Sequence, residues 1–194
     1  MCSPNCIEFI RSNLSVFEAL GKRVLEVGSY DVNGSPAPMV RSWGPAEYIG
    51  VDIQPGPKVD VLCAAEDLVE HFGAESFDVV ISTEMLEHIL DWPKAISNLK
   101  RVCKKDGLIL LTTRSKGFAW HPHPVDYWRF ESEDFAAIFA DFIRGSVEED
   151  IYDPGVFIRA QKPKDFQEAD LSGYALYSIM LDRRATLQEF LENR

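Results

Sequence analysis

Five runs of strand length, their apolar residues mostly continuous, constrain this chain more than any other feature. They are "RVLEV" at 23–27, "EYIGV" at 47–51, "KVDVL" at 58–62, "FDVVIS" at 77–82 and "GLILLTT" at 107–113. A strand with one face in water alternates apolar and polar residues, whereas continuous apolarity suits a strand covered on both faces, as in a parallel sheet flanked by helices. Helices expected at 65–72 and 93–103 supply that cover. The second opens with Asp91 as N-cap and Pro93 in its first turn, and "KKDG" at 104–107 ends it before the next strand.

Beyond residue 130 the pattern changes. Ser132 is placed to cap a helix whose first turn holds Glu133 and Asp134, and the stretches flanking the Pro154-Gly155 turn form an expected antiparallel hairpin. Leu176, Met180, Leu187 and Leu191 fall near one helical face, so residues 171–194 are expected to be a C-terminal helical tail, and residues 1–20 an N-terminal helical cap. With 194 residues and 46% apolar content, the whole chain, 1–194, is expected to form a single domain.

Asp and Glu outnumber Lys and Arg by 31 to 20, a formal charge of -11, which repels phosphate backbones; nucleic acid is not an expected partner. The richest apolar stretch, "FAAIFADFI", is too short to cross a bilayer and contains Asp141, so no membrane insertion is expected. The opening "MCSPNCIEFIRSNL" lacks a basic segment followed by an apolar one, and a cytoplasmic location is expected. Cysteines at 2, 6, 63 and 103 show neither disulfide-scaffold density nor the CxxC pairs of a zinc site.

Ligands of open α/β sheets lie beyond the carboxyl ends of the strands. The first run continues as "LEVGSYDVNGS", where Gly28 permits close approach of a ligand and Asn33-Gly34 suits a tight turn. A turn without a ligand accounts equally for Gly28 alone. The second run ends in "GVDI", which sets Asp52 at a strand tip, where a carboxylate can accept both hydroxyls of a ribose; no helix follows for it to cap. A nicotinamide-dependent oxidoreductase would need Gly-x-Gly-x-x-Gly opening a helix, and "GSYDVNG" does not fit.

Taken together, "VLEVGS", "YIGVDI", "AAEDL", "FDVVISTEMLEH" and "GLILLTT" resemble the successive motifs of class I S-adenosylmethionine-dependent methyltransferases, the type-11-like domain, over residues 23–113. The resemblance implies a Rossmann-like, mostly parallel seven-stranded sheet in the order 3-2-1-4-5-7-6, strand seven antiparallel, with helices on both faces. It implies S-adenosylmethionine as cofactor, and methyl transfer to a small-molecule or sugar acceptor. Carried over by residue, Glu26 and Gly28 face the methionine part, Asp52 the ribose and Ile53 one adenine face; Ala65 and Glu66 lie near the adenine amino group, and Ser29 and Thr83 complete the cofactor set. Two positions depart from the family: Tyr30 stands where a second glycine is common, and Ala64 where an aspartate often contacts adenine.

The segment "STEMLEHILDWP" then gathers acids and an imidazole at the tip of the fourth strand. If Ser82 or Thr83 starts a short helix, Glu84 meets Glu87 at i+3 and His88 at i+4. The pattern is similar to that of two metal-using subfamilies, the ubiquinone-pathway O-methyltransferases and the small-RNA terminal 2′-O-methyltransferases. The latter also take a histidine from the segment after strand five, here "RSKGFAWHPHPVDYWRF" with His121 and His123. Three readings stay open: a divalent cation on Glu84, Glu87, His88 and His123 or His121; metal-free catalysis by His88 with His121 and His123; or loop ordering alone. Transfer to oxygen is expected, because "STEM" lacks the Asn or Asp-Pro-Pro-Tyr motif common near nitrogen acceptors. Tyr127, Trp128 and Arg129 are expected to meet the acceptor, Arg129 either anchoring an anionic group or pairing with Asp126 or Glu131. A binding module that keeps the fold without catalysis is the alternative from another class.

Overall fold

The computed structural model describes residues 3–121 and 124–193. Two helices open it, α1 (Pro4–Asn13) and α2 (Val16–Ala19), the first with proline in its opening turn, where a missing N–H costs nothing. β1 (Arg23–Val27), α3 (Ala37–Ser42), β2 (Glu47–Asp52), β3 (Val61–Leu62), α4 (Leu68–Phe72), β4 (Phe77–Thr83), α5 (Trp92–Val102) and β5 (Cys103–Arg114) follow, with a helix between successive strands except β2 and β3. Next come β6 (Trp128–Arg129), α6 (Ser132–Ile138), β7 (Ile143–Glu149) and β8 (Gly155–Gln161). The chain closes with β9 (Leu176–Ser178), β10 (Arg183–Ala185) and α7 (Leu187–Glu192).

Among the described residues the main sheet has seven strands in the order β3-β2-β1-β4-β5-β8-β7. β1 to β5 run parallel, while β8 is antiparallel to both β5 and β7. This is the expected order and handedness of pairing; the small strand β6 lies outside the sheet and shifts the labels by one. Successive residues of each central strand point to opposite faces. Leu25, Val80, Ile109 and Ile158 join Trp92, Leu99 and Phe135 in one core. Val24, Val79, Leu108 and Leu110 join Phe9, Ile10 and Val40 in the other. The continuous apolarity of the runs thus reflects burial on both faces.

Several boundaries differ from expectation for local reasons. β3 is only two residues long, because Lys58 takes a positive φ of 69° and the Asp60 carboxylate accepts the Gly50 N–H, turning residues 58–60 out of the ladder. "KKDG" does not separate α5 from β5. It is absorbed as a bulge, Phe77 pairing with Cys103 and Val79 with Leu108. Ser132 is the first helical residue of α6 and Glu131 its N-cap, in a capping box with Asp134.

The expected helical tail over 171–194 is corrected more deeply. β9 and β10 form a hairpin, β9 also pairs with β6, and α7 alone is helical among the tail's described residues. Leu176 is buried whereas Met180 and Leu191 are about half exposed, so these residues share no face. The tail's role is to cover β6: the Phe190 ring packs 5.1 Å from that of Trp128, whose indole N–H donates to the Leu90 carbonyl. No helix among the described residues is long and apolar enough to cross a membrane. Trp128→Ala should therefore lower unfolding stability by ~3–5 kcal/mol, the usual cost of emptying a large aromatic site. A chemical-denaturation midpoint that falls with its slope unchanged checks this.

Candidate active site

The carboxyl ends of β1, β2 and β4 open into a cleft of ≈ 480 Å³, within the range of small-molecule sites. Glu26, Gly28, Ser29, Asp52, Ile53, Ala65, Glu66 and Thr83 all line it. Glu26 is buried at the end of β1, where its carboxylate accepts hydrogen bonds from Tyr48 Oη at 2.8 Å and Ser35 Oγ at 3.1 Å. Burial pushes its pKa up to about 7, although both donors oppose the rise. Gly28 adopts φ +77°, and a Cβ there would stand 2.9 Å from Met85 Cβ, so the position requires glycine on both counts.

Beyond β2 the Asp52 carboxylate accepts the backbone N–H groups of Tyr30 and Gln54, which fixes it at the cleft edge. Ile53 beside it is 63% exposed, an apolar surface facing the cleft. Tyr30, which replaces the family's second glycine, lays its ring over Gly56 and still leaves the cleft open.

The opposite wall comes from the turn after β4. The expected helix beginning at Ser82 or Thr83 does not form: Glu84 adopts a left-handed φ of 53° and donates its N–H to the Thr112 carbonyl. A single 3₁₀ turn at Leu86–His88 follows. Glu84 is consequently turned into a close ion pair with Arg114, at the end of β5, and not into a common face with Glu87 and His88. Arg114 also lies 3.8 Å from Asp150 and stacks over Phe118. Burial and then the charge of Glu87 raise the Glu84 pKa well above the usual range.

His88 lines the cleft and donates Nδ1–H to the Val125 carbonyl at 2.6 Å. Burial lowers its pKa against the pull of Glu87, so the ring is neutral with its lone pair on Nε2. Glu87 is fully buried; Oε2 accepts from Thr113 Oγ1, and Oε1 lies 3.8 Å from His88 Nε2. The His121 ring packs edge-on against that of His88 at 4.8 Å, and its Nδ1 meets the Asp126 carboxylate at 2.9 Å. Against the cost of burial, Arg129 and His121 hold the Asp126 carboxyl well below its ordinary range.

Of the expected acceptor residues, Tyr127 lines the cleft. Trp128 and Arg129 do not: Trp128 is buried under the tail, and Arg129 is buried in a paired contact with both Asp126 oxygens. Arg129 is thus the salt-bridge partner of Asp126 and not an anchor for substrate. Glu87, His88 and His121 converge, Glu84 does not join them, and His123 lies outside the described residues. Met85, Tyr48, Ser35 and Arg114 were not foreseen, and Asp126 was foreseen only as a partner of Arg129.

A methyltransferase-domain family model matches residues 6–145. The chain therefore belongs to the class I S-adenosylmethionine-dependent methyltransferase family. No curated protein matches it by sequence. Among solved structures, an S-adenosylmethionine-dependent methyltransferase from Mesorhizobium loti aligns with TM-score 0.56 at 15% identity, over 79% of this chain and 95% of that one. The Burkholderia thailandensis 1,6-didemethyltoxoflavin-N1-methyltransferase, solved with its substrate and S-adenosylhomocysteine, aligns with TM-score 0.65 at 14% identity, over 83% and 78%. The cyclase SpnF aligns with TM-score 0.62 at 16% identity, over 82% and 80%. These identities establish the fold and leave the reaction to the site.

The cleft suits S-adenosylmethionine on its own evidence: a buried carboxylate at one end, a glycine cradle in the middle, and a strand-tip carboxylate beside an exposed apolar side chain at the other. Glu26 gives a test with two signs. Its folded-state pKa lies above its unfolded value, so its contribution to stability is present at low pH and is lost as pH rises from about 4.5 to about 7. Glu26→Gln should raise the melting temperature of the ligand-free protein at pH 8 yet weaken S-adenosylhomocysteine binding there, on the order of tenfold or more. If Glu26 takes the ligand's ammonium, affinity of the native protein should fall roughly tenfold per pH unit below pH 7, since its carboxyl must first lose a proton. Thermal shift and calorimetry across pH 5.5–8.5 measure both.

Proposed function

We propose that this protein transfers the methyl group of S-adenosylmethionine to an oxygen of a small-molecule acceptor, a hydroxyl compound or a sugar. When bound, S-adenosylmethionine supplies a methyl carbon made electrophilic by its sulfonium. Glu26 holds the ammonium end, Asp52 the ribose hydroxyls and Ile53 one adenine face, with Ala65 and Glu66 near the adenine amino group and Ser29 and Thr83 closing the cradle. The acceptor lies between the turn carrying Met85 and His88 and the strap carrying Pro124 and Tyr127, all of which line the cleft.

The observation that carries the oxygen reading is the neutral imidazole of His88 on that wall. A neutral amine attacks without losing a proton first; an alcohol is a weak nucleophile until its proton is removed or its oxygen polarised. His88 brings an Nε2 lone pair to the place where that proton leaves, and the Val125 carbonyl holds the ring in the required tautomer. His121, edge-on behind it, keeps the ring in place. Alignment of the two reactants, not covalent chemistry on the protein, supplies most of the acceleration.

Incubation with S-adenosylmethionine and a panel of phenols and sugars, read by S-adenosylhomocysteine formation and by product mass, tests the proposal. A methyl ether product is expected, and His88→Ala should lower kcat by ~10²–10⁴-fold while S-adenosylhomocysteine affinity stays within about twofold. Methylation confined to amines, or turnover undiminished in His88→Ala, would overturn it.

A further inference from the structure

We infer that Tyr48 and Ser35 are positioning residues for the cofactor's ammonium: their hydroxyls hold the Glu26 carboxylate at the end of β1 and leave its negative charge for the ligand. The inference rests on the reading of the cleft as an S-adenosylmethionine site.

The geometry is that of a buried acid held by neutral donors. Tyr48, on the neighbouring strand β2, donates Oη–H to Glu26 Oε2 at 2.8 Å, and Ser35, just before α3, donates to Oε1 at 3.1 Å. Both donors are themselves fixed. The Tyr48 ring is buried in the core that also holds Phe9 and Val40. Ser35 Oγ accepts the Ala37 N–H at 3.0 Å, which commits its own proton to Glu26. Among the described residues no Lys or Arg side chain hydrogen-bonds to Glu26. Arg41, the cation whose charge acts on it from α3, instead lies over the Tyr48 ring, 4.7 Å from its centroid, and gives its guanidinium to Asp60 at 2.7 Å.

The choice of donor decides what the carboxylate can do. A lysine or arginine in contact would cancel its charge, and a site without donors would leave it protonated. A hydroxyl stabilises the anion by a charge-assisted hydrogen bond and adds no positive charge of its own. Burial, opposed by Tyr48 and then Ser35, brings the Glu26 carboxyl to about 7, so loss of either hydroxyl shifts it toward the protonated form near neutrality. The other charges acting on it are Arg41, which favours the anion, and Asp31 in the loop after β1, which disfavours it. On the β4 side Glu26 pairs with Ile81, which does not titrate. Such a cage serves a cationic ligand group alone. A ligand sharing the nucleoside but lacking the ammonium is indifferent to it.

The full chain and Tyr48→Phe are titrated calorimetrically with S-adenosylhomocysteine and with 5′-methylthioadenosine, which lacks the ammonium, from pH 5.5 to 8.5. The Glu26 carboxyl resonance is followed by carbon NMR in the ligand-free proteins over the same range. Losing one hydrogen bond to the carboxylate should raise the Glu26 midpoint by about one pH unit, so Tyr48→Phe should bind S-adenosylhomocysteine about tenfold more weakly than the native protein at pH 6 and within about twofold of it at pH 8.5. Ser35→Ala should move the midpoint in the same direction, and 5′-methylthioadenosine affinity should stay within about twofold in both variants. A deficit of equal size at every pH, no deficit at all, or equal weakening of 5′-methylthioadenosine would overturn the inference and spare the cofactor reading. A native protein that binds neither ligand would strike the cofactor reading instead. The Glu26 resonance then decides by itself: a raised midpoint in Tyr48→Phe supports the hold of the hydroxyls on the carboxylate, and an unmoved one overturns it.

Discussion

The parallel pairing of β1 with β4 is the constraint on which the cleft depends. Val24 to Val27 run beside Val79 to Ser82, so the two strands end level with one another. It is also where the strand order reverses, β2 and β3 lying to one side and β5 to the other, which opens a crevice that no crossover covers. Gly28 and Met85 meet across that crevice so closely that a single added carbon would clash. The cleft wall at the ends of β1 and β2 and the wall from the turn after β4 and the strap after β5 are thereby held in one frame, clamped by an apolar core on each face of the sheet.

Into this frame the chain places acids that a ligand-free protein would be more stable without. Glu26, Glu84 and Glu87 are all buried at strand ends, and burial raises the pKa of the first two. Glu84 adds a left-handed backbone conformation that a non-glycine residue adopts at a cost. Strain and buried carboxyl groups concentrated at the carboxyl ends of β1 and β4 mark this end of the sheet as a functional site.

The five parallel strands and the residues lining the β1–β2 side of the cleft were legible because their signals are local. Each of those strands announces itself by a mostly continuous apolar run, and Glu26, Gly28 and Asp52 stand at the strand ends that open into the cleft. The acceptor half was less legible because its partners are remote. Arg114 is thirty residues from Glu84, and the Thr113 hydroxyl that satisfies half of Glu87 belongs to another strand. The spacing of Glu84, Glu87 and His88 suggested one helical face, but a positive φ at Glu84 broke the period at its first residue. The tail failed for a similar reason: its leucine spacing imitates a helix, whereas pairing with β6, some fifty residues earlier, decides its conformation. Arg129 and Trp128 looked like substrate contacts by residue type, yet they serve to hold the strap that carries His121 and Tyr127.

The central claim is that this cleft binds the methyl donor with Asp52 on its ribose. Calorimetric titration of S-adenosylhomocysteine into the native protein and Asp52→Ala at pH 8 tests it most directly. One site of micromolar affinity in the native chain, weakened at least tenfold in the variant, is the predicted result. No binding heat at millimolar ligand, or equal affinity in the two proteins, would contradict it.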